Sequence, residues 1–293
     1  MKQTKALVLN GFVLKIIAIL TMTLDHVGLA MNADAGSPLY PLMIAFRIIG
    51  RFAFPVFALL LAEGLRHTHS RWRYILRLAI DWALILIVDL ILVYGFHIQM
   101  LSQAFTDLLC FALFITLLES KNKKLRFLSL LPLLFICFSY WAEIDVNFNV
   151  TFSPYIYLLA GYSLFGFIMF LGFYYAPKMA SFFLKKSELL GDNSLEEYEK
   201  TLEFQVLVNV ISCLIFLADV LIFWGISYIG VLENGNSPYD AYGMSIQSYC
   251  LLAMVLIACY NGKRGYNGKW FQYGAYVYYP IHMAIIFGIA FLI

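Results

Sequence analysis

Asp25 and His26 stand side by side inside an apolar run that begins near Gly11, and Arg47 and Arg51 stand four residues apart inside another. A neutral histidine can take a proton from an amine or hydroxyl nucleophile while a nearby carboxylate fixes its tautomer and stabilises the imidazolium. On a helix, adjacent side chains diverge by about 100°, so Asp25 and His26 form no ideal pair with each other, but both can flank one inward-facing cavity. Arg47 and Arg51 share a helix face, and a carboxylate such as Asp25 opposite Arg51 would lower the cost of both charges. Glu63 and His67 repeat the four-residue spacing beside Arg66 and Arg71, and His282 follows Pro280 in the last apolar run. A purely structural reading stands beside the catalytic one: His26 as a hydrogen-bonding helix contact, Asp25 and Arg51 as an ion pair.

The elements that must position these groups are membrane spans. Of the 293 residues, 62% are hydrophobic and 13% charged, with a mean hydropathy of +0.79, whereas soluble domains carry about 45–50% apolar and roughly 25% charged residues. That composition excludes an ordinary soluble enzyme, a disordered chain, a collagen-like fibre and a disulfide-stapled secreted domain. Apolar runs predict helices near 11–31, 41–65, 75–95, 103–118, 125–141, 154–175, 204–228, 241–260 and 270–293. The fold class is therefore all-α, a polytopic integral membrane helical bundle of about nine transmembrane helices (eight to ten), forming a single domain over 1–293. The N-terminal run has no small-residue cleavage site and reads as a retained helix. The polar stretch 176–203 reads as a cytoplasmic loop, and the capping-box spacing of Ser194 and Glu197 predicts a short interfacial helix over Leu195–Glu203.

Every Lys and Arg except Arg47 and Arg51 falls in one alternating set of segments. The opposite loops, near 32–40, 96–102, 142–153 and 229–240, contain none, although they carry Asp34, Glu143, Asp145, Glu233 and Asp240. The positive-inside rule then assigns the N-terminus to the cytoplasm and the C-terminus to the outside. The net charge of +2 offers no basic stripe for nucleic acid. Five cysteines without CxxC spacing indicate neither a disulfide framework nor a zinc site.

A charge near the bilayer centre costs at least about 2.5–3.5 kcal/mol on insertion scales. At 1.5 Å per residue, His26 lies roughly 22 Å from the cytoplasmic boundary, His282 roughly 18 Å, and Arg51 roughly 15 Å below the outer boundary. Three spans thus bring ionisable side chains to similar depths. Asp107 also needs a partner, while Asp81, Asp89 and Asp219 read as helix-packing contacts because no second group joins them at a defined spacing. His67 and His69 read as solvated at the rim and His97 as an outer-loop residue. The basic stretch Arg66 to Arg77 is first a topology determinant and then a candidate phosphate site.

Four stretches together carry a family resemblance. Leu14-Lys15-Ile16-Ile17-Ala18 and Met22-Thr23-Leu24-Asp25-His26-Val27-Gly28 resemble the opening of the TraX family, conjugal-transfer membrane proteins associated with N-terminal acetylation of F-type pilin. Ile49-Gly50-Arg51-Phe52-Ala53-Phe54-Pro55-Val56-Phe57, running into Leu61-Ala62-Glu63-Gly64-Leu65-Arg66-His67-Thr68, resembles its second block. Tyr260-Asn261-Gly262-Lys263-Arg264-Gly265 and Tyr278-Tyr279-Pro280-Ile281-His282 resemble its closing signature, and Gly161 to Gly166 is a looser match. The family is distantly similar to membrane acyltransferases of the acyltransferase-3 type and to lysosomal acetyltransferases that use cytosolic acetyl-CoA. The resemblance implies His26 as general base, Asp25 as orienting or charge-balancing group, Arg51 as oxyanion or thioester-carbonyl stabiliser, and His282 as a second polar wall, with Arg47, Glu63 and Tyr279 lining the cavity. It implies Arg66, His67, Arg71, Asn261, Lys263 and Arg264 as the cradle for the phosphates of acetyl-CoA, with Gly262 and Gly265 permitting close backbone approach and no metal.

The expected activity is transfer of acetyl from cytosolic acetyl-CoA to an amine or hydroxyl of a pilin N-terminus, glycan or lipid at the outer face of a bacterial cytoplasmic membrane. Two readings from other classes compete with it. One is a proton-coupled or solute transporter, since intramembrane Asp and His line such paths, and the other a non-catalytic membrane subunit of a pilus or conjugation machine.

Overall fold

The apolar run after Asn10 forms α1, Gly11–Met31. Its first orphan N–H groups find partners: the Asn10 side chain accepts from Val13 N at 3.0 Å, and Gly11 and Phe12 donate to the carbonyls of Lys263 and Arg264 at 2.8 and 3.0 Å. The helix stops at Asn32, whose φ of 40° is the left-handed conformation that asparagine tolerates at a helix end. In the computed structural model, the described residues are 7–34, 36–97, 103–144, 157–186, 194–225 and 244–292. Among them the regular elements are all helical.

The second apolar run is not one helix. It divides into α2, Tyr40–Gly50, and α3, Ala53–His67. Pro55 has no N–H to offer the Arg51 carbonyl four residues back, and its ring crowds that oxygen. The last turn of α2 tightens instead, with Arg51 N and Phe52 N bonding to the carbonyls of Ile48 and Ile49 at 3.1 and 3.2 Å. Arg51 therefore sits at a break within the span.

The helix α4, Arg71–Leu90, continues as a π-helical turn over Ile91–Gly95, and α5 covers Ala104–Leu118. Two contacts register this antiparallel pair: Arg71 with Glu119 at 2.8 Å, and Trp82 Nε1 donating to Thr106 Oγ1 at 3.0 Å. The fifth run splits at Ser129 into α6, Lys123–Leu128, and α7, Leu130–Ile144.

The sixth span differs from the expected 154–175. It is α8, Ser163–Lys186, so the first part of the expected loop 176–203 is helix. Its start is fixed by Asp107, whose carboxylate accepts from the N–H groups of Gly161, Tyr162 and Ser163 at 2.8, 3.0 and 2.8 Å. It runs on past Pro177 because Ala176, Ala180 and Leu184 continue a buried face against Phe204, Val208 and Ile211. The helix expected over Leu195–Glu203 is shorter, α9 at Leu195–Tyr198, and it carries the expected capping box of Ser194 and Glu197. It leads into α10, Leu202–Val220, which ends in a π-helical turn over Leu221–Gly225. Then come α11, Met244–Ser248, a 3₁₀ turn over Tyr249–Ala253, α12, Met254–Ala258, and α13, Lys269–Leu292. The expected outer loops near 96–102, 142–153 and 229–240 lie largely outside the described residues.

Among the described residues, five stretches are long and apolar enough to cross a bilayer: Gly11–Met31, Tyr40–His67, Lys123–Ala142, Ser163–Lys186 and Leu202–Trp224. Ala104–Leu118 and Ile246–Ala258 are shorter apolar helices, and α4 carries Arg71, Arg73, Arg77, Asp81 and Asp89 along its length. Large apolar side chains such as Leu214, Ile222 and Val255 are more than half exposed, which suits lipid as the solvent. The chain is an all-α membrane protein.

It divides into two compact units, Met1–Ala62 with Met169–Gly268, and Glu63–Ile168 with Lys269–Ile293. In the first, α1 packs on α2, and α8 on α10 through the apolar cluster just named. In the second, α4 packs on both α5 and α13, and Phe114 meets Phe167 edge to face at 4.8 Å.

Asp107 is the local test of this architecture. Asp107→Ala would leave three backbone donors, one buried and two half-buried, to find new partners at about 1–3 kcal/mol each. Thermal unfolding in detergent should show a loss of at least about 3 kcal/mol, with Asp107→Asn, which retains one acceptor oxygen, falling between the two.

Candidate functional site

In the first unit α1 and α2 approach closely at two glycines. A Cβ on Gly28 would stand 3.1 Å from Met43 O and Phe46 Cβ, and one on Gly50 would overlap the Cβ and carboxylate of Asp25. Small residues at a membrane helix crossing permit such approach, and here they bring Asp25 beneath the arginine-bearing face of α2. Asp25 Oδ1 accepts from Arg47 Nη1 at 3.0 Å and from Arg51 Nη2 at 2.9 Å. Gly50→Ala should push Asp25 off this position, at the roughly 1–3 kcal/mol typical of overpacking. A lowered unfolding temperature in detergent, larger than that of Gly274→Ala where a Cβ meets nothing, is the expected reading.

Arg51 is held from three sides. Besides Asp25, its Nη1 donates to Gln247 Oε1 at 2.9 Å and its Nε to the Arg47 carbonyl at 3.3 Å. The two arginine side chains are only 13% and 11% exposed and Asp25 16%, so one carboxylate oxygen serves two buried guanidiniums. Gln247 turns its oxygen to Arg51, and its buried Nε2 has no hydrogen-bond partner among the described residues. An arginine beside an amide donor that has no partner among the described residues suits a carbonyl oxygen or an anion.

His26 is half-buried one residue along α1. Because Asp25 is engaged by α2, the carboxylate acts as charge balance for the arginines.

The segment expected to hold phosphates, Asn261 to Gly265, packs first against the protein. Asn261 N bonds to the Leu9 carbonyl at 2.8 Å, and the carbonyls of Lys263 and Arg264 cap α1. The Asn261 side chain accepts from Lys263 N at 2.9 Å. Gly262 and Gly265 have φ of 70° and 73°, and a Cβ at either would overlap Gln205 or Asn10. Their permissive backbone thus serves a turn docked on protein side chains. Lys263 and Arg264 themselves extend into solvent, with Lys15 within electrostatic reach of Arg264, so three cations gather at this end of α1.

The remaining expected phosphate ligands lie in the second unit and are already paired. Glu63 holds Arg66, and His67 Nε2 lies 3.3 Å from Glu63 Oε2 while 76% exposed. Arg71 pairs with Glu119 and donates through Nε to the Leu65 carbonyl at 3.3 Å.

His282 and Tyr279 also belong to the second unit. His282 is 5% exposed, stacked on Tyr278 at 4.9 Å and edge-on to Tyr279 at 5.1 Å. Its Nδ1 lies 3.0 Å from the Tyr278 carbonyl. A carbonyl only accepts, so Nδ1 carries a proton toward it. Of the carboxylates expected to be packing contacts, Asp81, Asp89 and Asp219 are all buried, yet neither oxygen of Asp89 has a hydrogen-bond partner among the described residues.

Gln247, Gln103 and the capping role of Asp107 escaped the sequence reading. An amide within or at the edge of an apolar run was the available signal, since uncharged polar groups in lipid also need partners.

The family described as TraX protein matches residues 10–182, more than half of the chain. The match includes Asp25, His26, Arg47, Arg51 and the block Glu63 to Arg71, and stops before Asn261 to Gly265 and His282. No curated protein and no solved structure matches the chain.

Proposed function

Because the chain belongs to the TraX family, a conjugation-related family of membrane proteins, we propose that it is an acetyltransferase of the bacterial cytoplasmic membrane. It takes acetyl from cytosolic acetyl-CoA to an amine or hydroxyl of a pilin N-terminus, glycan or lipid at the outer face. The observation that carries this reading is the buried Arg47–Asp25–Arg51 cluster with Gln247 at its edge and His26 beside it.

The roles follow from donor and acceptor chemistry. Arg51 and the Gln247 amide supply hydrogen bonds to the thioester carbonyl oxygen, whose negative charge grows as the tetrahedral intermediate forms. His26 takes the proton of the attacking amine or hydroxyl. The new C–N or C–O bond forms, the C–S bond breaks, and the proton ends on the departing CoA thiol. The exposed Lys263 and Arg264 favour the CoA phosphates over the ion-paired Arg66 and Arg71, since a cation already satisfied by a carboxylate gains less from an anion.

The test is transfer or hydrolysis of labelled acetyl-CoA by the purified protein in lipid nanodiscs, followed by mass spectrometry of pilins and surface polymers from cells with and without it. Absence of both activities, with no acetyl difference between the cells, would reject the reading. The broken span at Arg51 and the buried carboxylates keep a transporter in view. Solute or proton flux into liposomes without acetyl-CoA is its signature.

A further inference from the structure

The two sides of α4 carry different chemistry. Ile75, Leu78, Asp81, Ile85 and Asp89 make its buried side. On the other side Arg73 and Arg77 are exposed, and with them Leu76, Ile80, Leu84 and Ile87, at 60, 52, 42 and 53% exposure. At about 100° per residue these six lie within an arc of about 100°, so they form one outward stripe. Its first two turns carry the cations, and the rest is apolar.

The carboxylates near this end of the second unit are already engaged. Glu119 holds Arg71, and Glu63 holds Arg66 with His67 beside it. Arg73 and Arg77 have no ion pair among the described residues. Because the pair of Arg71 and Glu119 ties the start of α4 to the end of α5, the exposed Lys121, Lys123 and Lys124 stand at the same end and add to its positive field. The positive-inside rule places this end at the cytoplasmic leaflet.

Residues four apart on a helix have Cβ atoms about 5–6 Å apart, so both guanidiniums can reach one phosphate, whose oxygens match their forked donors. The apolar part of the stripe then narrows the partner. Half of a hydrocarbon core of about 30 Å is about 15 Å, or about ten residues of helix, which is the interval from Arg77 to Ile87. A soluble phosphate would use the arginines and leave that length unmatched, whereas a phospholipid uses both. A zwitterionic head group would bring an amine into the field of the three lysines. A head group with net negative charge meets attraction throughout.

We propose that this stripe of α4 binds an anionic phospholipid of the bilayer, with the phosphate between Arg73 and Arg77 and an acyl chain along Leu76 to Ile87. Binding does not rest on the acyl-transfer reading.

The experiment is native mass spectrometry of the full-length protein released from detergent, with phosphatidylglycerol and phosphatidylcholine of the same acyl chains offered together and sn-glycerol 3-phosphate as the soluble competitor. Phosphatidylglycerol should be retained at least about tenfold over phosphatidylcholine, and Arg73→Gln with Arg77→Gln should abolish the preference, since each cation near an anionic head group is worth about fivefold. Lys185→Gln with Lys186→Gln, an equal loss of charge in the first unit, should leave it unchanged. If the double arginine variant is not monodisperse, Arg77→Gln alone takes its place and should lower the preference about fivefold. Equal retention of the two lipids, a preference that survives the arginine variant or falls equally in the lysine variant, or displacement by glycerol 3-phosphate at equal concentration would each overturn the proposal. So would a dimer that only the arginine variant dissociates, because a second copy would then cover the stripe. Acetyl transfer is not read here, so either idea can fail alone.

Discussion

Asp25→Ala should be the most destabilising single substitution in the first unit. It removes the oxygen that accepts from both Arg47 and Arg51, leaving two guanidiniums in a membrane-buried site. Breaking a buried ion pair from one side costs about 3–5 kcal/mol, because the remaining charge is uncompensated. The pair itself is weak evidence of stability, since apolar replacement of all partners is often neutral or better. The expected result is therefore a pattern. Asp25→Ala lowers the unfolding temperature in detergent sharply, and adding Arg47→Met and Arg51→Met to it restores most of the loss. The same triple variant should have no acetyl transfer, since the carbonyl-oxygen site goes with Arg51. If Asp25→Ala unfolds like the parent, the arginines are balanced by some other group and the cluster is not the unit described.

Arg47 and Arg51 are also the clearest case of what composition made legible. A basic residue inside an otherwise apolar span demands a partner, and Asp25 was readable as that partner because both lie well inside their apolar runs. The helical class and the capping box of Ser194 were local signals, carried by hydropathy and by a three-residue spacing. Gln247 was not readable, since it reaches Arg51 across 196 residues of chain and no spacing rule spans that distance. The start of α8 was missed for the same reason. Its cap is Asp107, more than 50 residues earlier, while the apolar run before Ser163 gave no stop signal. Asn261 to Gly265 illustrates a different gap: glycines beside cations suit a phosphate turn equally well as a turn that closes on its own helix N-terminus, and only the Gly11 and Phe12 hydrogen bonds separate the two.

His26→Ala should abolish transfer of labelled acetyl while leaving the fold intact, and the contrast with Asp25→Ala is what gives it meaning. Removing a general base lowers turnover by roughly 10²–10⁴-fold. The engagement of Asp25 by two arginines frees His26 from being the partner on which the buried charge depends. Its loss should therefore cost little stability, with the unfolding temperature and the monodispersity in detergent close to those of the parent. Acetyl-CoA binding, followed by displacement of a fluorescent CoA analogue, should also survive, because Lys263 and Arg264 stand at the opposite end of α1. Lys263→Ala with Arg264→Ala should reverse the pattern, weakening binding while turnover at saturation persists. Full turnover in His26→Ala would pass the role of base to another group.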